Sequence, residues 1–321
     1  MDRRMGTVRL TSRLRKEIKG FWKSPLLWDY PLSRLTSLRI GGPAEVVLFP
    51  QELEELQKGL AWVRTAGLPW WVIGRGTNVL APDDGLPGVI FVLGARFGRI
   101  ETVYSAEAGA FVQAQAGCSL PRLVAWCMEN ELSGLEFACG IPGSVGGGIR
   151  TNAGAWGKEM GDVIARVIYL DQGGTLINAE RDSLYFSYRR LQMPPEDVVV
   201  AGVFMLVPRP RTAIEATCRD LKRRRLSSQP QQVASVGSFF RNPSKEVSAG
   251  ELIDKAGLKG LRVGGAMVSE QHANFLVNTG SATARDILNL MEIVQDKVHA
   301  FAGIGLKPEV CILGGNKESC Y

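Results

Sequence analysis

Seven of the eighteen residues in the segment 140–157 are glycine. The segment reads Gly140-Ile-Pro-Gly-Ser-Val-Gly-Gly-Gly148, with Thr151-Asn-Ala-Gly-Ala-Trp-Gly157 close behind. Helix propensity and side-chain packing give no reason for that density. Close approach of the backbone to a second body does. The two readings are a cofactor cradle and a loop-rich sheet edge. A second glycine loop, Gly74-Arg-Gly-Thr-Asn78, follows the apolar run Trp70–Ile73. A strand entering such a loop can offer backbone N–H groups to a phosphate. It is not a dinucleotide fingerprint. G-x-G-x-x-G needs glycine at 79, where Val79 stands, and Pro82-Asp-Asp-Gly85 leaves no room for the helix that should follow.

Other chemistries lack their residues. Cys118, Cys127, Cys139, Cys218, Cys311 and Cys320 contain no C-x-x-C pair, and only His272 and His299 accompany them. Neither a metal site nor a disulfide framework is expected. A cysteine nucleophile has no supporting motif. The net charge is +6, but the first 23 residues carry eight Arg/Lys against Asp2 and Glu17, which leaves the remainder with thirty of each sign. A neutral body excludes a broad nucleic-acid footprint. The basic arm reads as a solvated extension with one short helix. No apolar stretch follows the early arginines as a signal peptide requires, and the longest apolar run, 198–207, is too short to cross a bilayer. A cytoplasmic protein without stable membrane insertion is expected.

The elements that must position these loops follow from periodicity. A strand at 45–49, a helix at 52–66 and a strand at 70–73 form one α/β unit. Short strands fill 88–117, and a helix covers 120–131. Strands recur at 163–171, 175–178 and 198–207. Composition shifts after Pro208 and Pro210. Helices are predicted at 213–226, 249–256 and 282–303, the last opening near Ser281 or Thr283, and a strand closes at 306–313. With 321 residues, two or three domains are expected.

Eight stretches, in order, resemble the UDP-N-acetylenolpyruvoylglucosamine reductase family. They are Thr36-Ser-Leu-Arg-Ile-Gly-Gly-Pro43; Gly74-Arg-Gly-Thr-Asn-Val-Leu80; Gly140-Ile-Pro-Gly-Ser-Val-Gly-Gly147 with Asn152-Ala-Gly-Ala155; Tyr188-Arg189; Gly237-Ser-Phe-Phe-Arg-Asn-Pro243; Ala249-Gly-Glu-Leu-Ile253 with Ala256-Gly-Leu-Lys259; His272-Ala-Asn-Phe275; and Pro308-Glu309. The resemblance covers about 33–313 and is to the shorter, type II form, since 163–188 leaves no room for an extra loop and strand. It implies an α/β fold: an FAD-binding domain of the vanillyl-alcohol-oxidase (PCMH) type in two subdomains, 33–100 and 101–210, and a substrate domain, 211–305. The extension 1–32 and a C-terminal strand and tail, 306–321, complete the expected division.

The resemblance also implies a reaction. Hydride from NADPH reaches, by way of non-covalent FAD, the methylene carbon of the enolpyruvyl ether of UDP-N-acetylglucosamine. Negative charge grows on the neighbouring carbon and its carboxylate, and a proton then gives UDP-N-acetylmuramate, a peptidoglycan precursor. Such chemistry needs a fixed cation, worth about 3–4 kcal/mol, and a placed proton donor, worth roughly 10²–10⁴-fold. The resemblance assigns the cation to Arg189, the donor to Ser238 and an acidic partner to Glu309. Without it, Ser238 reads as a turn serine and Arg189 as a surface arginine. Expected FAD contacts are Gly74, Arg75, Gly76, Thr77, Asn78, Val79, Leu80, Gly140, Ile141, Pro142, Gly143, Ser144, Gly147, Asn152, Ala153, Gly154 and Val163. Tyr188, Arg225, Arg241 and Asn274 are expected at the substrate, and His272 is read as structural. A monomer is expected. Competing readings are a flavin oxidase on a sugar or alcohol, and a binding protein that has lost catalysis; neither needs Arg189, Ser238 and Glu309 together.

Overall fold

The computed structural model describes residues 9–106 and 109–315. The expected features at 1–8, at Cys320 and in the rest of the tail lie outside the described residues.

From Leu10 onward the N-terminal extension contains the one short helix expected of it, but that helix is docked on the first subdomain. Helix α1 (Ser12–Phe21) is capped by Thr11 and buries Ile18 completely. Trp22 follows it and meets Phe91, with ring centroids 6.2 Å apart. Strand β1 (Leu26–Pro31) pairs antiparallel with β2 (Pro43–Leu48). The first sheet therefore begins at Leu26, ahead of the boundary at 33. Arg13, Lys16 and Lys19 still face solvent. The charge pattern reported that outer face, and the few apolar residues of the inner face carry the docking.

Helix α2 (Leu53–Thr65) buries Leu56, Leu60 and Val63 at helical spacing. It leads to β3 (Trp70–Ile73), which enters the 74–78 loop; β4 (Val79–Leu80) and β5 (Leu86–Val92) follow. The sheet order is β1-β2-β5-β3, with β2, β5 and β3 parallel. The second sheet comprises β6 (Ile100–Ala106), β7 (Gly109–Gln115), β11 (Ile164–Leu170), β12 (Leu176–Glu180) and β15 (Val198–Pro208), in the order β12-β11-β15-β7-β6. Between them in sequence come α3 (Leu120–Glu129), β8 (Leu132–Ser133), α4 (Val145–Arg150) and the hairpin β9 (Gly154–Ala155) to β10 (Lys158–Glu159). A second hairpin, β13 (Tyr185–Ser187) to β14 (Arg190–Gln192), precedes β15. Strand β15 is central and apolar on both faces, which explains its unbroken hydrophobic run.

Helix α5 (Arg211–Ser228) packs its buried Ile214 and Cys218 into the core of the second sheet. The C-terminal domain follows, with β16 (Ala234–Ser235), α6 (Ala249–Lys255), β17 (Arg262–Val263), β18 (Ala266–Val268), β19 (Leu276–Asn278) and α7 (Ala284–Ala302). A capping box of Thr283 and Asp286 opens α7, and Gly303 at φ 67° closes it. Ile287, Leu290, Val294 and Val298 are fully buried along one stripe of that helix, each contributing about 1.5–3 kcal/mol. The expected closing strand shortens to β20 (Cys311–Ile312), which pairs parallel with β4 in the first subdomain.

The glycine segment departs from the reading of its density. Six of its residues form α4, capped by Ser144. A Cβ on Gly146 would stand 2.7 Å from Ala116 Cβ, and one on Gly148 would stand 3.1 Å from Met160 Cε. Packing of α4 against the second sheet thus accounts for part of the glycine content. Gly147 faces open space instead, with only Ser144 Oγ near, at 3.5 Å.

Candidate active site

A cavity of about 460 Å³ runs between the two subdomains and the C-terminal domain. Its floor is the 74–78 loop. Among the described residues the backbone N–H groups of 74–78 donate to no protein acceptor. The same holds for Gly143 and Ser144, which face them across the cavity. Unpaired N–H groups in a buried wall call for an anionic ligand. The loop is tightly held from behind. Gly76 has φ 61° and no room for a Cβ, which would run into Leu35 O, and its carbonyl accepts from Ser37 N at 2.9 Å. Ser37 Oγ in turn donates to Ser235 O at 2.6 Å, which ties the loop to the C-terminal domain.

Three side chains from distant parts of the chain converge on this cavity: Arg189, Ser238 and Glu309. Arg189 sits at the tip of the β13–β14 hairpin with φ 58°, a conformation costly for a non-glycine residue. Asn152 holds the hairpin just before its turn: its Nδ2 donates to Ser187 O at 2.9 Å, and its Oδ1 accepts from Gly161 N at 2.9 Å. Arg189 Nε lies 3.0 Å from Glu309 Oε1, yet the N–H direction misses the oxygen, so Nε lacks a directed hydrogen bond. Burial pushes the Glu309 carboxyl above its ordinary range, and Arg189 and Arg241 offset that only in part. Burial pulls the Arg225 guanidinium down; Cys139 opposes this and Arg189 adds to it. Two cationic side chains beside unpaired N–H groups make the cavity an anion receptor.

The 238–241 segment is clamped on two sides. Phe240 N donates to Asn274 Oδ1 at 2.9 Å, and Asn274 Nδ2 donates to Phe240 O at 2.8 Å. On the other side Glu309 N donates to Phe239 O at 2.8 Å, and Arg241 N donates to Lys307 O at 2.9 Å. These bonds set Ser238 beside Glu309. The Ser238 hydroxyl has no protein partner among the described residues and lines the cavity.

Of the residues expected at FAD, Gly74, Arg75, Gly76, Thr77, Asn78, Val79, Ile141, Pro142, Gly143, Ser144, Gly147, Ala153 and Gly154 line the cavity. Leu80, Gly140, Asn152 and Val163 lie behind the lining: Leu80 in β4, Gly140 under the Arg225 side chain, and Asn152 in the clamp just described. Of those expected at substrate, Arg225 lines the cavity. Tyr188 is half exposed, and its hydroxyl accepts from Asn242 N at 3.4 Å. Arg241 lies behind Glu309, and Asn274 is committed to Phe240. His272 Nδ1 accepts from Asn274 N at 3.2 Å, so its reading as structural fits its place. Sequence reasoning missed Asp197, Trp156 and Phe275, all in the wall. The one usable signal was Asp197, a carboxylate opening an otherwise apolar strand.

The family model for the UDP-N-acetylenolpyruvoylglucosamine reductase C-terminal domain matches 229–313, and an FAD binding domain model matches 44–180. A reductase of that name from Syntrophus aciditrophicus is 39% identical over 94% of this chain and 96% of its own length. The chain belongs to the UDP-N-acetylenolpyruvoylglucosamine reductase family. A second family member, from Symbiobacterium thermophilum, is 42% identical over 89% of this chain and 91% of its own. The crystal structure of the Thermus caldophilus reductase superposes with a TM-score of 0.75 at 34% identity, covering 91% of this chain and 99% of that one. The expected fold is borne out: an FAD-binding domain of the PCMH type precedes the reductase C-terminal domain. The unpaired N–H groups at 74–78 and 143–144 fit the pyrophosphate of FAD. Among the described residues, no helix is long and apolar enough to cross a membrane.

Proposed function

We propose that the chain reduces UDP-N-acetylglucosamine enolpyruvate to UDP-N-acetylmuramate, with NADPH as hydride donor and non-covalent FAD, as a cytoplasmic monomer in peptidoglycan precursor synthesis. The observation that carries this reading is the convergence of Arg189, Ser238 and Glu309 on one cavity beside the N–H cradle.

Bound FAD supplies the hydride that reaches the methylene carbon. The chain's own residues do the rest. The 74–78 and 143–144 N–H groups would hold the pyrophosphate of FAD. Arg189, whose buried Nε lacks a directed acceptor, takes the substrate carboxylate and stabilises charge as it grows there, for about 3–4 kcal/mol. Arg225 neutralises a second anionic group. Ser238 donates its hydroxyl proton to the carbon beside the carboxylate. Glu309 keeps Arg189 turned toward that carboxylate and, favoured in its protonated form by burial, shares a proton with it.

The test is an NADPH oxidation assay on the purified protein, which is expected to be yellow. Oxidation should require the enolpyruvyl nucleotide sugar. A colourless protein, or rapid NADPH oxidation by oxygen without that sugar, overturns the proposal. Ser238→Ala should still allow NADPH to bleach the flavin while blocking its reoxidation by the sugar. Equal loss of both halves would give the serine another role.

A further inference from the structure

Two thiols stand outside this site with no part in it. Cys139 follows the helical turn 136–138 and immediately precedes Gly140, where the cradle segment begins. Cys218 lies in α5, seven residues before Arg225, and so on the same side of that helix. Both are free and buried in one apolar cluster, where α5 packs against the 136–138 turn. A second cavity, of about 320 Å³, opens onto both and is lined also by Gly140, Arg219 and Lys222.

We infer that Cys139 and Cys218 form a dithiol modification site that hydroperoxides convert to a reversible disulfide. Two thiols on separate packed elements, in one cluster and open to one cavity, have the arrangement that disulfide formation needs. The charges agree. The Cys218 thiol, then Lys222 and Arg225, bring Cys139 down to about 7, against burial and Glu136. Cys127, buried in α3, is pushed up to about 12, and burial also raises Cys118. Cys139 is therefore the more acidic thiol of the pair, with Cys218 raised by their pairing and by burial, and the thiolate is the nucleophile.

The step balances. The Cys139 thiolate attacks one peroxide oxygen, the O–O bond breaks, and the departing oxide takes a proton to become water or an alcohol. Cys139 is now a sulfenic acid. The Cys218 sulfur attacks it, the S–S bond forms, the S–O bond breaks, and water leaves with the Cys218 proton. Two thiols lose two electrons and the hydroperoxide gains them.

The bond has a route to the larger cavity. The Arg225 side chain lies over Gly140, where a Cβ would meet Arg225 Cδ at 3.3 Å. Drawing Cys139 and α5 together moves Gly140 and Arg225 against each other. Anion binding in the larger cavity weakens as Arg225 shifts.

The experiment treats the reduced FAD-loaded protein with hydrogen peroxide, alkylates it and maps its peptides. A link between the Cys139 and Cys218 peptides, reversed by dithiothreitol, is expected. Cys218→Ala should stop at a Cys139 sulfenic acid that dimedone traps. The linked protein should show a several-fold higher KM for the nucleotide sugar, restored on reduction. Absence of this link, or equal peroxide consumption by Cys139→Ala, overturns the site. A link that leaves KM unchanged overturns its coupling to Arg225. The peptide map needs no turnover, so it stands or falls apart from the proposed reaction.

Discussion

Asn152 Nδ2 donates to Ser187 O across 2.9 Å, and that bond fixes the hairpin whose tip carries Arg189. Asn152 is fully buried at φ 43° and lies behind the cavity wall. It is a positioning residue for Arg189. Asn152→Asp keeps the acceptor for Gly161 N and removes the donor to Ser187 O. A displacement of order 1 Å at a charge-stabilising group can cost about 100-fold. Asn152→Asp is expected to lower kcat/KM for the nucleotide sugar on that scale while flavin content stays near wild type. Loss of flavin in step with activity would contradict the assignment.

Gly146 and Gly147 are neighbours with opposite duties. Gly146→Ala drives a methyl into Ala116 and should destabilise by roughly 1–3 kcal/mol. Gly147→Ala meets only Ser144 Oγ at 3.5 Å, and alanine in a helix gains about 0.5–1 kcal/mol over glycine. Thermal melts and flavin absorbance separate the two. Gly146→Ala should melt lower, whereas Gly147→Ala should melt at or above wild type yet retain less flavin.

Asn274→Ala leaves both Phe240 N–H and C=O without their partners, at about 1–3 kcal/mol each. Ser238, two residues away, is then held beside Glu309 by backbone bonds alone. Stopped-flow absorbance should show flavin reduction by NADPH little changed and reoxidation by the sugar slowed. An unchanged reoxidation rate would mean that Asn274 supports only the fold.

Glu309 gives stability a pH signature. Its folded pKa is raised, so the folded chain holds a proton there that the unfolded chain releases near the ordinary value of 4.5. The contribution is full below that value and is lost as pH rises through the folded pKa. Across that window the Tm difference between wild type and Glu309→Gln should drift in favour of the variant, then level off. A difference that stays constant with pH would show that the carboxyl titrates normally.

Legibility in the sequence divides by range. The 74–78 loop could be read because a strand, two glycines and a following proline-acid run are local signals. The ten apolar residues of 198–207 likewise announced a central strand. Helix α4 could not be read, because three consecutive glycines argue against a helix and only packing on Ala116, Leu120 and Met160 overrides them. Ser238 and Glu309 carried no local mark. Their proximity rests on Phe240 pairing with Pro308, and no periodicity encodes a partner so distant. The resemblance supplied those positions. It also expected contact from Asn152 and Asn274, whose amides are instead committed to neighbouring backbone, since any buried amide must find partners for both ends.

The pairing of β20 with β4 imposes an order of assembly. Asn78 Nδ2 donates to Glu309 O across 231 residues of chain, and Cys311 N donates back to Asn78 O. A nascent chain leaving the ribosome can form its first sheet early and hold Gly76 from behind, but the Asn78 end of the loop lacks its brace until Glu309 and Cys311 have emerged. Contacts of such separation also form slowly, because a long loop must close before they are rewarded. Capture of the nucleotide therefore waits for residues 309–311, and translation arrested before Glu309 should yield a protein with its first core formed and a weakened grip on flavin.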